Sequence, residues 1–489
     1  MEKIPDSGEA RFSPLLNYLS RSADSFCSRC LGVELEHFVV DETAQRPVFY
    51  EDAPDGAPGV ESILKEMTGF YSEQSYAPGS DGSRRLIGLG RPSVAITLEP
   101  GAQLEISIGP VTRLSTLNVL YHEFRSELDP ILARHGYRLL ALGYQPYALA
   151  RDIPLIPKQR YHWMDRYFQT TGQHGLCMMR ASASTQVSID FSSEADALLK
   201  LRSANALGPL FAFLTDNAPV FEGTLLLPNS NGEKGRGHTQ GNGHAAPVSA
   251  VASAPAPVSI APASAPAPVS ASGLALPPRM ARTAVWNDVD PWRCGIAPGS
   301  MGANYRFNDY TDYLMRAPAV FSERYLPGGR YESNFEEARS NAEVFSQDEL
   351  THEKVEHILS LFFFDNRLKT YVEVRMADSL PWEYALAFSA LTAGLFYDPQ
   401  NLGWMAERLR SIDEPAVALA KSALMRDGWD AEVYGIAALA WLEVLMAQAE
   451  EALAEADRPF LAPLKSLVEQ RQTLFQKQVL TLSEGGRLL

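Results

Sequence analysis

The chain reads as an α+β protein: a mostly antiparallel sheet with one polar and one apolar face, helices around it, and a helical C-terminal subdomain. Three observations predict this. Four short segments alternate polar and apolar residues with period two, as a strand does when its two faces meet different surroundings. Helical signals are interleaved with them. Beyond residue 382 the strand signals stop and helical spacing takes over.

The first strand segment is Gly32-Val-Glu-Leu-Glu-His-Phe38, with Glu34 and Glu36 on one face. The second is Gln103-Leu-Glu-Ile-Ser-Ile108, where Gln103, Glu105 and Ser107 alternate with Leu104, Ile106 and Ile108. A helix follows over Thr116–His135, with Gly136 as its stop. The third strand is Thr185-Gln-Val-Ser-Ile-Asp-Phe191, whose polar row is Gln186, Ser188 and Asp190. Ser193–Asn217 is a second helix, expected to break or kink at Gly208-Pro209. The fourth strand, Tyr371-Val-Glu-Val-Arg375, puts Glu373 and Arg375 on one face and Val372, Val374 and Met376 on the other. Helices are then expected over Trp382–Tyr397, Glu414–Arg426, Ala431–Ala456 and Phe460–Leu482.

Between the third and fourth strands the composition changes sharply. Residues 245–272 are all Ala, Pro, Val or Ser except Ile260, after a Gly- and Asn-rich stretch. Repeated Ala-Pro steps favour extended backbone, so this is expected to be a tether with no core of its own. The organisation expected is a catalytic sheet domain of residues 1–228 and 281–382, an insert of residues 229–280, and a helical subdomain of residues 383–489.

The 489 residues carry 43 Lys and Arg against 59 Asp and Glu, a formal charge of −16. That balance argues against nucleic acid and anionic membrane as partners. The most apolar runs, Tyr384–Tyr397 and Gly435–Ala447, are shorter than the roughly 18 residues a bilayer needs. Without a basic, apolar leader and with only four cysteines, a cytoplasmic protein with reduced thiols is expected. Cys27-Ser-Arg-Cys30 is a C-x-x-C without a second metal-binding pair, so it is read as incidental or weakly redox-active. Two other motifs are decoys. His352 and His357 are five residues apart, not the four of a zinc helix, and Pro298-Gly-Ser300-Met-Gly302 lacks the first glycine of a nucleophile elbow. Both are expected at the surface.

The polar rows are the chemical signal. They consist mainly of carboxylates and carboxamides, and such a cluster is costly without a compensating cation. Hard oxygen donors without neighbouring His or Cys select Mg²⁺ or Mn²⁺. With arginines beside it, a face of this kind suits ATP chemistry, in which metal and guanidinium groups share the phosphate charge. Neither a P-loop nor a strand-borne G-x-G-x-x-G is present.

At these segments the sequence resembles the glutamate–cysteine ligases of the plant and proteobacterial type. Gly32-Val-Glu34-Leu-Glu36-His-Phe38 matches their G-x-E-x-E-x-F, and Leu98-Glu99-Pro100-Gly101-Ala-Gln103-Leu-Glu105-Ile-Ser107 their L-E-P-G-G-Q-x-E-L-S. Gly143-Tyr-Gln145-Pro146 and Pro157-Lys158-Gln-Arg160-Tyr161 match G-x-Q-P and P-K-x-R-Y. Thr185–Phe191, the run from Arg282 through Trp286, Asp288 and Asp290 to Arg293, and Tyr371–Asp378 follow in the family's order.

The resemblance implies a glutamine-synthetase-like fold, a curved and mostly antiparallel sheet whose concave face is the active site. It implies an ATP-dependent ligase that makes γ-glutamylcysteine from L-glutamate and L-cysteine through γ-glutamyl phosphate. ATP and Mg²⁺ (or Mn²⁺) would be the cofactors, and the partners small-molecule substrates, glutamate with cysteine or another amine, with no nucleic acid and no membrane. By likeness, Glu34, Glu36, Glu99, Glu105 and Glu373 would hold metal. Lys158, Arg160, Gln186, Arg293 and Arg375 would face the nucleotide, with Lys158, Arg293 and Arg375 catalytic, and Arg180, Arg282 and Trp286 would hold substrate.

The departures bear on substrate. Where the plant type carries M-x-R-T-C-T-x-Q, this chain has Met179-Arg180-Ala181-Ser182-Ala183-Ser184-Thr185-Gln186, with the arginine displaced by one residue. On a strand that slip would turn it to the other face. Ser188 stands for Asn, and Met376 for Gly. A related ligase with another amine or acid, or a binding protein that has kept the fold, are the alternative readings.

Overall fold

In the computed structural model the described residues are 13–24, 29–79, 81–227, 276–326, 330–345 and 350–488. The Ala/Pro-rich run and Cys27 lie outside them. Nine strands of the main sheet position the site: β1 Leu31–Asp41, β2 Glu73–Pro78, β3 Arg84–Arg91, β4 Val94–Leu98, β5 Leu104–Val111, β6 Tyr137–Leu140, β7 Ser184–Ile189, β8 Asn366–Leu368 and β9 Val372–Asp378. Their order is β8-β9-β7-β1-β5-β4-β3-β2, with β6 paired to the far half of β1. These pairings are antiparallel. The four strands expected from alternation are therefore consecutive neighbours at the centre of one sheet.

Alternation does what the sequence demands of it. Val33 and Leu35 of β1, Ile106 of β5 and Val187 of β7 are buried in the core, while Glu34, Glu36, Glu105 and Gln186 line a cavity on the other face. The core joins the apolar face to three helices: α1 Leu114–Arg134, α2 Glu194–Leu214 and α3 Trp382–Phe396. Gly136, at φ +69°, follows the end of α1 as expected. Ser193 caps α2 by accepting the Asp196 N–H at 3.2 Å. α2 runs on through Gly208-Pro209 without ending. In that turn the Tyr434 hydroxyl donates to the Ala206 carbonyl, a tertiary bond beside the missing N–H.

The C-terminal part is helical, but more finely divided than its spacing suggests. α4 Pro399–Arg408 is an additional helix, capped by Asp398. α5 spans Glu414–Asp427. The expected single helix over Ala431–Ala456 opens instead with a short hairpin, Glu432–Val433 against Ile436–Ala437, and only α6 Ala438–Ala452 is helical. Its turn residues Tyr434 and Gly435 both have positive φ, the geometry of a two-residue hairpin. The last run splits into α7 Ala462–Gln470 and α8 Leu474–Ser483, because Arg471 takes a left-handed conformation and Thr473 starts a new capping box. Residues of α5 to α8 share the core with the sheet.

Three surface or thiol expectations are corrected. His357 is held at 8% side-chain exposure by Glu323 and the Phe321 carbonyl, and Ser300 is buried where it meets Asn205. Cys30 is disulfide-bonded, while Cys177 and Cys294 are free.

Candidate active site

On the polar face a cavity of about 280 Å³ is lined by Glu34 and Glu36 of β1, Glu99, Glu105 of β5 and Gln186 of β7. Across it stand Lys158 and Arg160, at the start of the helix Gln159–Phe168, with Arg367, Lys369 and Arg375 at the β8–β9 hairpin. Met164, Met178, Met179, Trp286 and Phe363 supply apolar walls. Acid and base thus converge on one cavity, where opposite charges interact more strongly than in open water.

Two of the carboxylates, Glu36 and Glu105, are tethered by hydrogen bonds. Glu36 accepts from the Ser184 N–H at 2.7 Å, the Ser184 hydroxyl at 3.0 Å and Gln186 Nε2 at 2.9 Å. Glu105 accepts from the Thr97 hydroxyl at 2.5 Å. Burial and then the charges of Glu99 and Glu36 push the Glu105 carboxyl up to about 8. Burial with Glu105 and Glu373 raises Glu34 to about 7, and burial with Glu36 raises Glu99 to about 7. Burial raises Glu36 as well, against the pull of Arg282 and Arg375. Each of the four is short of positive charge.

Glu373 is the exception. It is fully buried, and although burial opposes ionisation, Arg367, Lys369 and Arg375 together hold its carboxyl far below the usual range. Arg367 Nε lies 2.7 Å and Arg375 Nη1 2.8 Å from Glu373 Oε2. Its place is under the cavity wall as counter-ion to the cations, not among the lining carboxylates. Arg375 also donates to Gln186 Oε1, so Gln186 ties Glu36 to Arg375. Among the described residues no three His, Cys, Asp or Glu side chains converge as a preformed metal cluster.

The remaining expected residues divide. Lys158 and Arg160 line the cavity, with Arg160 Nη2 3.0 Å from the Ser360 hydroxyl. Burial and neighbouring Arg160 lower the Lys158 ammonium from its usual value. Trp286 lines the cavity, and Arg282 stacks on it at 5.7 Å. Arg282 is buried behind the wall and donates to the Arg375 carbonyl.

Arg293 and Arg180 are corrections. Arg293 is wholly buried and away from the cavity lining, paired with Asp290 at 2.9 Å, bonded to the Tyr167 hydroxyl at 2.8 Å and packed on the rings of Tyr167 and Phe362. Its contacts among the described residues are with protein groups, and it does not line this cavity. Arg180 is on the short helix Gly175–Ala181, not on a strand, so the strand-register argument does not apply to it. It grips Asp165 through two nitrogens, at 2.8 and 2.7 Å, and the Ile153 carbonyl at 2.9 Å.

Arg367 and Lys369 are cavity residues that sequence patterning did not single out. Their signal is one of parity: Arg367, Lys369, Glu373 and Arg375 all fall on odd positions, but the turn of a tight hairpin lies between them.

The sequence model of glutamate-cysteine ligase family 2 (GCS2) matches residues 30–478. The chloroplastic glutamate–cysteine ligase of Brassica juncea is 28% identical over 396 residues, covering 79% of this chain and 64% of that protein. That of Nicotiana tabacum is 27% identical over 429 residues, covering 85% and 70%. The chain therefore spans slightly under two thirds of the Brassica juncea relative's length. Among solved structures, a glutamate–cysteine ligase from Francisella tularensis in complex with AMP aligns with a TM-score of 0.46 at 11% identity, covering 94% of this chain and 86% of that one. Among the described residues no helix is long and apolar enough to cross a membrane.

Proposed function

The chain belongs to glutamate-cysteine ligase family 2, and from that premise we propose that it is an ATP-dependent carboxylate–amine ligase joining L-glutamate to L-cysteine through γ-glutamyl phosphate. The observation that carries the reading is the cavity itself, where four carboxylates short of positive charge face Lys158, Arg160, Arg367, Lys369 and Arg375. A carboxylate is a poor acyl donor and its phosphoric anhydride a good one, so the reaction needs a site that binds phosphate and acid together.

The donor set fits a hard divalent cation: four hard oxygen donors raised by burial and, for three of them, by one another. Glu34, Glu36, Glu99 and Glu105 would hold Mg²⁺ or Mn²⁺, which when bound neutralises phosphate oxygens. Arg375, Arg367 and Lys369 would take the rest of the phosphate charge, with Glu373 fixing their positions. Lys158 and Arg160 would complete the clamp from the opposite wall. Gln186 orients Arg375, and Trp286 with Arg282 behind it would hold the amino-acid end of the substrate. The carboxylate oxygen of glutamate would take the γ-phosphoryl group as its bond to the β-phosphate breaks, releasing ADP. The incoming amine would then attack the acyl carbon and expel phosphate, forming the amide.

A second reading, a ligase for another acid or amine, is favoured by the engagement of Arg180 with Asp165, which removes one expected substrate contact. The test is ADP release with glutamate and a panel of amines, followed by the mass of the product. A γ-glutamylcysteine mass with cysteine, and little ADP without it, is expected. No ADP with glutamate and any amine would retire the glutamate assignment.

A further inference from the structure

The β8–β9 hairpin that supplies cations to the cavity pairs Arg367 with Glu373 across its ladder, and the two side chains form an ion pair at 2.7 Å. One step along, the Arg375 N–H donates to the Asp365 carbonyl at 3.3 Å, so Asp365 stands opposite Arg375 in the same register. Parity puts Asp365, Arg367 and Lys369 on one face, with Glu373 and Arg375 across from them. Opposite charges facing one another on neighbouring strands attract. By the geometry that joins Arg367 to Glu373, Asp365 is placed to neutralise Arg375.

Its carboxylate is held by a different cation. Lys421, on α5 of the C-terminal part, reaches in until its Nζ lies 2.5 Å from Asp365 Oδ2 and 3.4 Å from Asn287 Oδ1. Both members of this ion pair are buried. The Asp365 N–H donates to the Gly295 carbonyl at 2.7 Å, which fixes the residue from the backbone side. Arg375 is left to Glu373 and Gln186 and lines the cavity. We infer that Lys421 is a positioning residue for phosphoryl transfer: by occupying the Asp365 carboxylate it keeps the Arg375 guanidinium free for phosphate. This rests on the ligase reading above. Without the Lys421 ammonium, Asp365 would be a buried acid that has lost its counter-ion, and Arg375 opposite it is the cation it would take. The helical C-terminal part thereby sets the charge available in the sheet's cavity.

The experiment is calorimetric titration of the full chain, in Mg²⁺, with inorganic tripolyphosphate, beside kcat for amide formation and urea unfolding. Lys421→Met keeps an unbranched stem without the charge, and should weaken tripolyphosphate about tenfold and lower kcat at least as much. Adding Asp365→Asn to it should bring both back to within about threefold of wild type, although it supplies no cation. Lys421→Arg should also stay within about threefold. In an Arg375→Ala background, Lys421→Met should cost less than about twofold more, because its effect runs through Arg375. A purely structural ion pair would cost the same with or without Arg375. That result, or no rescue by Asp365→Asn, overturns the proposal while leaving the ligase reading intact. Should Lys421→Met fail to fold, Lys421→Gln, a neutral donor at the same position, takes its place in every comparison. Wild-type protein that binds no tripolyphosphate retires both readings. Wild-type protein that makes no amide with any amine, yet shows this cycle in tripolyphosphate binding, upholds Lys421 and retires the ligase.

Discussion

Glu36 on β1 and Glu105 on β5 are direct cross-strand partners in an antiparallel ladder, both facing the same cavity. Like charges placed opposite one another oppose sheet formation. The fold carries that cost at a cavity where a cation would offset it.

Replacing Glu105 tests this. The Glu105 carboxyl is raised above its unfolded value of about 4.5 to about 8, so its contribution to stability is present below pH 4.5 and is lost as pH rises through 8. Glu105→Gln should therefore raise the melting temperature of chelator-treated protein at pH 8, and shrink the further rise that Mg²⁺ gives wild type. Saturation at 100 times the dissociation constant is worth about 2.7 kcal/mol. Calorimetric scans with chelator and with Mg²⁺ measure both. A variant less stable than wild type in chelator would count against a strained carboxylate pair.

Arg180→Ala should leave the glutamate KM within about threefold of wild type, because the guanidinium is engaged by Asp165 and the Ile153 carbonyl. The loss should appear as stability. Removing one partner of a buried ion pair leaves the other uncompensated, at a cost of roughly 3–5 kcal/mol. Steady-state kinetics and urea unfolding separate the two outcomes, and a tenfold rise in glutamate KM would place Arg180 at the substrate after all.

Period-two alternation makes the polar face legible in the sequence itself, because a strand's facing is local: Glu34, Glu36 and Glu105 follow from parity alone. Which cations meet that face is not local. Arg293 and Arg375 have the same chemistry in the sequence, yet one is paired with Asp290 inside the helical shell and the other reaches the cavity. Arg367 is hidden by a hairpin that reverses the chain between it and its partner Glu373. The hairpin at Tyr434-Gly435 is masked by apolar residues that read as one long helix. In each case a turn conformation or a tertiary partner decides the outcome, and neither leaves a periodic mark.

Arg293→Ala and Arg375→Ala should therefore fail differently. The first removes a wholly buried cation from Asp290 and should unfold at lower denaturant, with KM for ATP unchanged in whatever fraction stays folded. The second removes a cavity-lining donor and should lower kcat about 100- to 1,000-fold, with a smaller effect on stability because Glu373 keeps Arg367 and Lys369 as counter-ions. Measuring unfolding midpoints beside kcat for both variants checks the contrast. Equal kinetic damage from both would return Arg293 to the site.

Asp378 gives a pH test away from the carboxylate cavity. It is buried, its Oδ2 accepts the Asn217 N–H at 2.8 Å, and Arg282 is the nearby cation. Burial outweighs both and raises its carboxyl from 3.8 to about 6. Between those values the folded chain binds more protons than the unfolded chain, so stability falls as pH rises. The contribution is fully present below pH 3.8 and is lost as pH passes 6, a change of about 3 kcal/mol at ~1.4 kcal/mol per tenfold. Asp378→Asn keeps an acceptor for Asn217 but cannot ionise. Its stability relative to wild type should be near zero at pH 4, grow through pH 5 and 6, and level off above pH 7. Urea unfolding across that range measures the difference directly. A flat difference would show that Asp378 ionises in the folded chain as readily as in water, with Arg282 supplying the compensation.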